Sequence, residues 1–137
     1  MLTHLFYTPY KPKPMAKRKK RYQIIKQLIS EKDYEYNISV ELDKQYERVT
    51  RIYAYGNPNY TQNNNLVFSS PLKINNTDHF PEDFDSALLF PMDHNDDFTK
   101  IDEEAAGSRL EVTVQDKGTV ASPYYFSIVL VLENKDD

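Results

Sequence analysis

Asp93, Asn95 and Asp97 fall at positions 1, 3 and 5 of a calcium-loop spacing, and Glu104 falls at position 12. Oxygen ligands in that pattern suit a hard divalent cation such as Ca²⁺. Position 6 of such a loop needs glycine for its sharp turn, and Phe98 stands there. Pro91 and the strand-like flanks leave no helix to lead into the loop. The plainer reading of these four residues is an exposed acidic loop, with calcium held in some other geometry as its competitor. The other chemistry-bearing types form no constellation. His4, His79 and His94 have no G-x-S-x-G elbow to serve, and a catalytic triad is defined by proximity, which spacing does not supply. The chain has no cysteine, so it has no thiol nucleophile, thiolate metal site or disulfide. The acids Glu82, Asp83 and Asp85, and Asp102, Glu103 and Glu104, are neighbours in sequence, whereas glycosidases need two carboxylates facing each other across a cleft. Gly56, Gly107 and Gly118 are isolated, which leaves no phosphate-cradling loop and no dinucleotide fingerprint. The expectation is a protein that is not an enzyme and uses no cofactor.

The strongest chemical signal is electrostatic. Seven of the eleven residues in KPKPMAKRKKR (11–21) are basic: Lys11, Lys13, Lys17, Arg18, Lys19, Lys20 and Arg21. No acidic residue precedes Glu31. Residues 22–137 hold the other ten basic residues and all 21 acidic ones, so a basic segment leads into an acidic body. Clustered Lys and Arg bind phosphates by releasing counterions and need no sequence reading to do so. Tyr7, Tyr10 and Tyr22 flank the run and are suited to stacking on bases. The plainer readings are a solvated tail, a nuclear-type address, or an attachment to an acidic protein surface, including the body of a sister copy.

Behind these residues stand the elements that must carry them. A length of 137 residues suits one domain, and 39% hydrophobic content suffices for one core. Pro9, Pro12 and Pro14 disfavour helix and ladder, so residues 1–21 read as an extended arm near polyproline II. MLTHLFYTPY lacks the parts of a signal peptide, and no stretch approaches the 18 or so apolar residues of a membrane span, so a soluble chain is expected. The N-x-[ST] matches at Asn37, Asn59 and Asn75 then read as chance in an Asn-rich chain. Met15 offers a second start that would keep most of the basic run.

From Tyr22 onward the texture is that of strands. RYQIIKQLI (21–29) fits either period, and its Ile and Tyr content favours a strand. YNISVEL (36–42) and SRLEVTVQD (108–116) alternate cleanly, and ERVTRIYAY (47–55) is β-branched and aromatic. GNPNYTQNNN (56–65) is a loop by composition, and Pro71 interrupts LVFSSPLKIN (66–75). NTDHFPEDFD (76–85) reads as a polar turn, SALLF (86–90) as a short strand, FTKI (98–101) as a very short strand and DEEAAG (102–107) as one helical turn closed by Gly107. YYFSIVLVLEN (124–134) is the strongest strand. The sum is an all-β domain over 22–137, with about eight short strands in a β-sandwich or barrel, the size of a single eight-stranded jelly roll.

The stretches LDKQYERVTRIYAYGN (42–57), LKINNTDHFPEDF (72–84), KIDEEAAGSRLEVTVQD (100–116) and YYFSIVLVLENK (124–135) carry a resemblance. Together they resemble small β-rich virion proteins of phages that infect Bacteroidetes-type bacteria. The resemblance spans about residues 36–135 and implies a jelly-roll capsid component, made in the host cytoplasm and built into the virion as the penton that closes a fivefold vertex. It also implies partners: copies of itself in a ring, a major capsid protein and a spike. It carries over no catalytic residue. The basic arm lies outside the matched stretches, and its expected role as an anchor to the viral genome or to neighbouring protein rests on charge. Two other classes compete. A carbohydrate-binding sandwich would use Tyr53, Tyr55 and Tyr60 beside the Asn-rich loop, and a small nucleic-acid-binding protein would use the arm as a free monomer.

Overall fold

Alternation of apolar and polar residues puts one face of a strand on a core and the other in water; the burial of residues 35–41 and 109–116 follows that rule, whereas residues 126–132 are buried on both faces. In the computed structural model, residues 20–91 and 98–135 are described. They form β1 (Lys20–Ile29), β2 (Glu35–Glu41), β3 (Arg48–Asn57), β4 (Leu66–Phe68), β5 (Leu72–Ile74), β6 (Thr77–Phe80), a 3₁₀ helix (Ser86–Leu89), β7 (Thr99–Glu104), β8 (Arg109–Asp116) and β9 (Tyr124–Glu133). One sheet runs β1-β9-β3-β7. The other runs β2-β8-β5-β6, with β4 also on β8. All pairings are antiparallel, and the two sheets enclose one core as a sandwich.

The pairings are nested. β1 lies against β9, β2 against β8, β3 against β7 and β5 against β6. The chain is therefore one long hairpin folded over on itself. Its tip is the two-residue turn Asn75–Asn76, where both residues have positive φ, 55° and 60°. Asparagine tolerates that left-handed region, and a two-residue turn of this kind matches the twist of the strands it joins. Folding the hairpin over adds the contacts β3–β9 and β5–β8.

Pro71 has the interrupting effect read from the sequence. β4 pairs with Val114–Asp116 of β8 and β5 with Leu110–Glu111, so both lie in one lane along β8. In the gap, Ser70 Oγ accepts the Thr113 N–H at 2.9 Å and Ser69 N–H donates to the Thr113 carbonyl at 2.8 Å. A side chain thus completes the ladder where the proline ring breaks the strand.

The inner faces supply the core. Tyr124, Phe126, Ile128, Leu130 and Leu132 of β9 meet Leu110, Val112 and Val114 of β8, all buried. An aromatic cluster of Phe68, Phe80 and Phe84 fills one end, with ring centroids 4.9–6.4 Å apart.

Three local expectations are corrected. SALLF is the 3₁₀ helix, not a strand. Asp85 caps it by accepting the Ala87 N–H at 3.0 Å, and Ser86 Oγ is spent on the Leu66 carbonyl at 2.7 Å. Residues 77–80, read as turn, form β6, because the hairpin tip is only two residues long. Asp102–Glu104, read as the start of a helical turn, complete β7, and Gly107 with φ 76° sits in the turn that follows. The described strands number nine when β4 and β5, the two pieces of the lane that Pro71 splits, are counted separately. The boundary drawn between arm and body at residue 21 falls inside β1, which starts at Lys20.

Candidate functional site

β1 is the edge strand of the first sheet, and its even-numbered residues point outward. Register aligns them in rows with β9 and β3: Tyr22 with Val131 and Arg51, Ile24 with Val129 and Tyr53, Lys26 with Ser127 and Tyr55, Leu28 with Tyr125 and Asn57. Lys100 of β7 continues the first row beyond Arg51. The result is a face of apolar and aromatic residues edged with cations. Tyr22 and Tyr125 are each 46% exposed, Ile24 53% and Leu28 42%. Tyr53 lies flat against Phe98, centroids 4.2 Å apart at 11°, with Tyr55 next in the stack at 6.3 Å. Burial in this stack raises the Tyr53 phenol above its ordinary pKa, with Tyr55 and Tyr22 adding to the effect. Lys26 Nζ lies 5.9 Å from the centre of the Tyr125 ring, and Lys20 Nζ lies 5.8 Å from that of Tyr22. Lys20, Lys26, Arg51 and Lys100 make no ion pair among the described residues. Arg48 is paired with Asp102 at 2.7 Å.

The opposite outer face differs in kind. It presents Glu35, Glu41, Glu111 and Asp78 with Lys73 and Arg109, and polar side chains such as Asn37, Ser39 and Thr113. A shallow groove of about 310 Å³ crosses it at the Pro71 break.

The basic run is divided by the structure. Lys11, Lys13, Lys17, Arg18 and Lys19 lie outside the described residues. Lys20 and Arg21 belong to β1. Arg21 points to the other side of the strand and is paired with Asp43, which ties β1 to the link after β2. A hydrogen bond from the Gln45 amide, and then Arg21, hold the Asp43 carboxyl below its ordinary pKa against the opposing effect of burial. Gln23 reinforces the same seam by donating to the Glu41 carbonyl and accepting the Asp43 N–H.

The far side of the sandwich is closed by His79 and Glu103, 3.2 Å apart, which bridge β6 of one sheet to β7 of the other. Asn75 donates to Glu103 at 3.1 Å. Burial pushes the Glu103 carboxyl up, and hydrogen bonds from Asn75, the Glu104 amide and His79 outweigh it and hold the pKa below the ordinary value. A carboxyl depressed in the folded state contributes stability above its unfolded pKa, about 4.3 for Glu, and loses it as pH falls through the folded value. The urea midpoint should therefore be nearly level from pH 7 to about pH 5 and drop below about pH 4. Glu103→Gln should lower the midpoint at pH 7 and flatten that drop. An equally steep acid limb in the variant would rule out Glu103 as a contributor.

The remaining sequence candidates separate. Asp93, Asn95 and Asp97 lie outside the described residues, as do His4 and His94. Glu104 is an exposed residue at the end of β7. No cluster of His, Cys, Asp or Glu able to hold a metal occurs among the described residues. Of the three tyrosines proposed for sugar stacking, Tyr53 and Tyr55 share the outer face. Tyr60 does not: it packs edge-on against Tyr124 and Phe90 at 5.1 and 5.2 Å and lies half-buried against the core.

Sequence reasoning passed over Asp116, which with Asn64 is among the most connected side chains of the described residues. It is fully buried and accepts four hydrogen bonds: from Asn65 N–H (2.9 Å), Gly118 N–H (2.8 Å), Asn64 Nδ2 (3.0 Å) and Tyr124 Oη (2.6 Å). Burial, and then the Asp116 carboxylate, push the Tyr124 phenol far above its ordinary pKa, so it stays a donor. Gly118 is required beside it, because a Cβ there would sit 2.2 Å from the Asn63 carbonyl oxygen. The available signal was an acid closing an alternating strand, one step from a glycine turn and opposite an Asn-rich loop. Its role is to pin two loops, and it faces no cleft. Comparison with protein-family models, with curated proteins and with solved structures finds no match to this chain.

Proposed function

We propose that the sandwich is a jelly roll and that the chain is a structural virion protein, a small capsid component at a fivefold vertex. The observation that carries this reading is the nested pairing. If β4 and β5 are taken as one strand split by Pro71, eight strands pair first with last, second with seventh, third with sixth and fourth with fifth. A hairpin rolled in that order is the jelly-roll plan, and viral capsid domains are a principal use of it. The resemblance to small phage virion proteins and the basic run at Lys11–Arg21 support the same reading.

In this role the protein works mechanically. The edges β1 and β7, with β2 and β6 beneath them, provide sides for copies of the chain and a major capsid protein to meet. A ring requires a heterologous contact that closes by rotation. The basic run faces inward, to genome phosphates or acidic neighbours, and the loops of the body form a platform for a spike.

The test is sedimentation of a nuclease-treated source lysate, with detection by an antibody against residues 22–137. The protein should travel only with large, nuclease-resistant particles, and removal of residues 1–19, which leaves β1 whole, should prevent its incorporation. A protein that stays at the top of the gradient would end the capsid reading.

A further inference from the structure

The outer face of β1-β9-β3-β7 combines two properties seldom placed together without a ligand. It displays flat rings, Tyr22 and Tyr125 each 46% exposed, with Tyr53 and Tyr55 beside them. Threaded among the rings are cations that no described acid neutralises: Lys26, Arg51 and Lys100. Rings that stack and cations that meet phosphates are the two parts of a surface for unpaired nucleic acid. We infer that this face binds a single-stranded polynucleotide, with the exposed Tyr22 and Tyr125 stacking on bases and Lys26, Arg51 and Lys100 meeting phosphates.

Three observations select this occupant. First, the two outer faces differ in net charge. The first carries Lys20, Lys26, Arg48, Arg51 and Lys100 against Glu133, Asp102 and Glu104, whereas the opposite face carries Glu35, Glu41, Asp78 and Glu111 against Lys73 and Arg109 and repels a polyanion that the first face attracts. Second, the surface is continuous with the basic run. Lys20, the last residue before Arg21 in that run, opens β1 and lies on the same face as Tyr22 and Lys26. Third, the same charges oppose the obvious rival. Two copies packed with these faces together would set Lys26, Arg51 and Lys100 against their own kind, and exposed Ile24 and Leu28 would have to overcome that repulsion. A duplex keeps its bases stacked inside and presents none to the tyrosines. The inference goes beyond assembly and does not depend on it, since it concerns the free chain.

The experiment uses the purified full chain and a fluorescein-labelled single-stranded oligonucleotide, with the matching duplex as comparison, read by anisotropy over a range of salt. The single strand should bind more tightly than the duplex. The double variant Lys26→Glu, Arg51→Glu should weaken binding at least about tenfold and reduce the salt slope by about 1.4, the value for two lost phosphate contacts on a single strand. Tyr22→Ala with Tyr125→Ala should weaken binding by about tenfold or more with little change in slope. Far-ultraviolet circular dichroism checks the fold of each variant, and the charge pair, at the exposed Lys26 and the half-buried Arg51, remains informative if the tyrosine pair fails to fold. Three results would each overturn the inference: face variants that bind like the wild type while Lys17→Ala, Arg18→Ala, Lys19→Ala abolishes binding; equal affinity for duplex and single strand; or face variants that change only self-association in sedimentation equilibrium, which would make a second copy the occupant.

Discussion

Asp116→Ala should cost about 3–5 kcal/mol of folding stability, because it strips the acceptor from four donors in a buried site. The carboxylate is fully buried and is itself satisfied by two backbone amides, one side-chain amide and one phenol. Its removal leaves the Asn65 and Gly118 amides and the Tyr124 hydroxyl facing a cavity, each a desolvated polar group without its designed partner. The loss extends along the chain. Lys117 N–H donates to Asn65 O at 2.9 Å and Thr119 N–H to Asn63 O at 2.8 Å, so the two loops that Asp116 pins are also laced by their backbones. A domain of this size has about 5–15 kcal/mol to lose, so the variant should be marginal at 37 °C. The measurement is urea unfolding followed by tyrosine emission, which the absence of tryptophan makes clean. A lower midpoint with an unchanged slope is expected. Tyr124→Phe is the graded control and should cost about 1–2 kcal/mol, since Asp116 keeps three of its four partners. An Asp116→Ala variant as stable as the wild type would show that the loops are held by packing alone.

Phe68→Ala should cost a similar amount, about 3–5 kcal/mol, through a different mechanism. Phe68 is fully buried on β4 and its ring contacts those of Phe80 and Phe84, with centroids 6.4 and 5.6 Å away. Truncation loses the transfer energy of the ring and opens a void that its neighbours fill only in part. Collapse is restricted here, because the backbone on both sides is committed. Phe68 N–H donates to Phe84 O at 3.0 Å, and Asp83 N–H donates to Phe68 O at 2.7 Å. Phe68→Leu should recover more than half of the loss by keeping most of the volume. Thermal unfolding by circular dichroism would separate the three proteins. A leucine variant no better than the alanine variant would point to ring-specific contacts and away from volume.

The two sites differ in how visible they were beforehand. Phe68 sits in LVF, an apolar run that any reading assigns to a core. Asp116 ends SRLEVTVQD as one of 21 acidic residues, and its place between an alternating strand and a glycine turn is a weak local mark. Its burial depends on Asn64, 52 positions away in the chain, arriving from a loop that composition marks only as polar. The same difference runs through the fold. Strands with clean alternation, such as β2 and β8, were legible because period-two patterning is a local property. SALLF was misread because its four apolar residues fit a buried strand or a short helix equally, and the decision fell to the Asp85 cap and the Leu66 carbonyl. β6 was missed because its four residues, TDHF, are mostly polar and take strand form only by pairing with β5.

What the amino-acid sequence determined by itself was the all-β class, the position of most strands, the break at Pro71, and the concentration of positive charge before an acidic body. Each of these follows from side-chain shape, alternation or formal charge within a short window. Only the tertiary structure decided which strand lies beside which, and therefore which residues share a surface. Tyr22, Arg51, Lys100 and Tyr125 are spread over about a hundred positions and become one face through the pairings of β1 with β9, β9 with β3 and β3 with β7. Arg21, one residue from Lys20, is turned to the other side of β1 and held by Asp43. Register settles such matters, and it is fixed by contacts between segments far apart in the chain, because a slip of one residue would exchange the inner and outer faces of a whole strand.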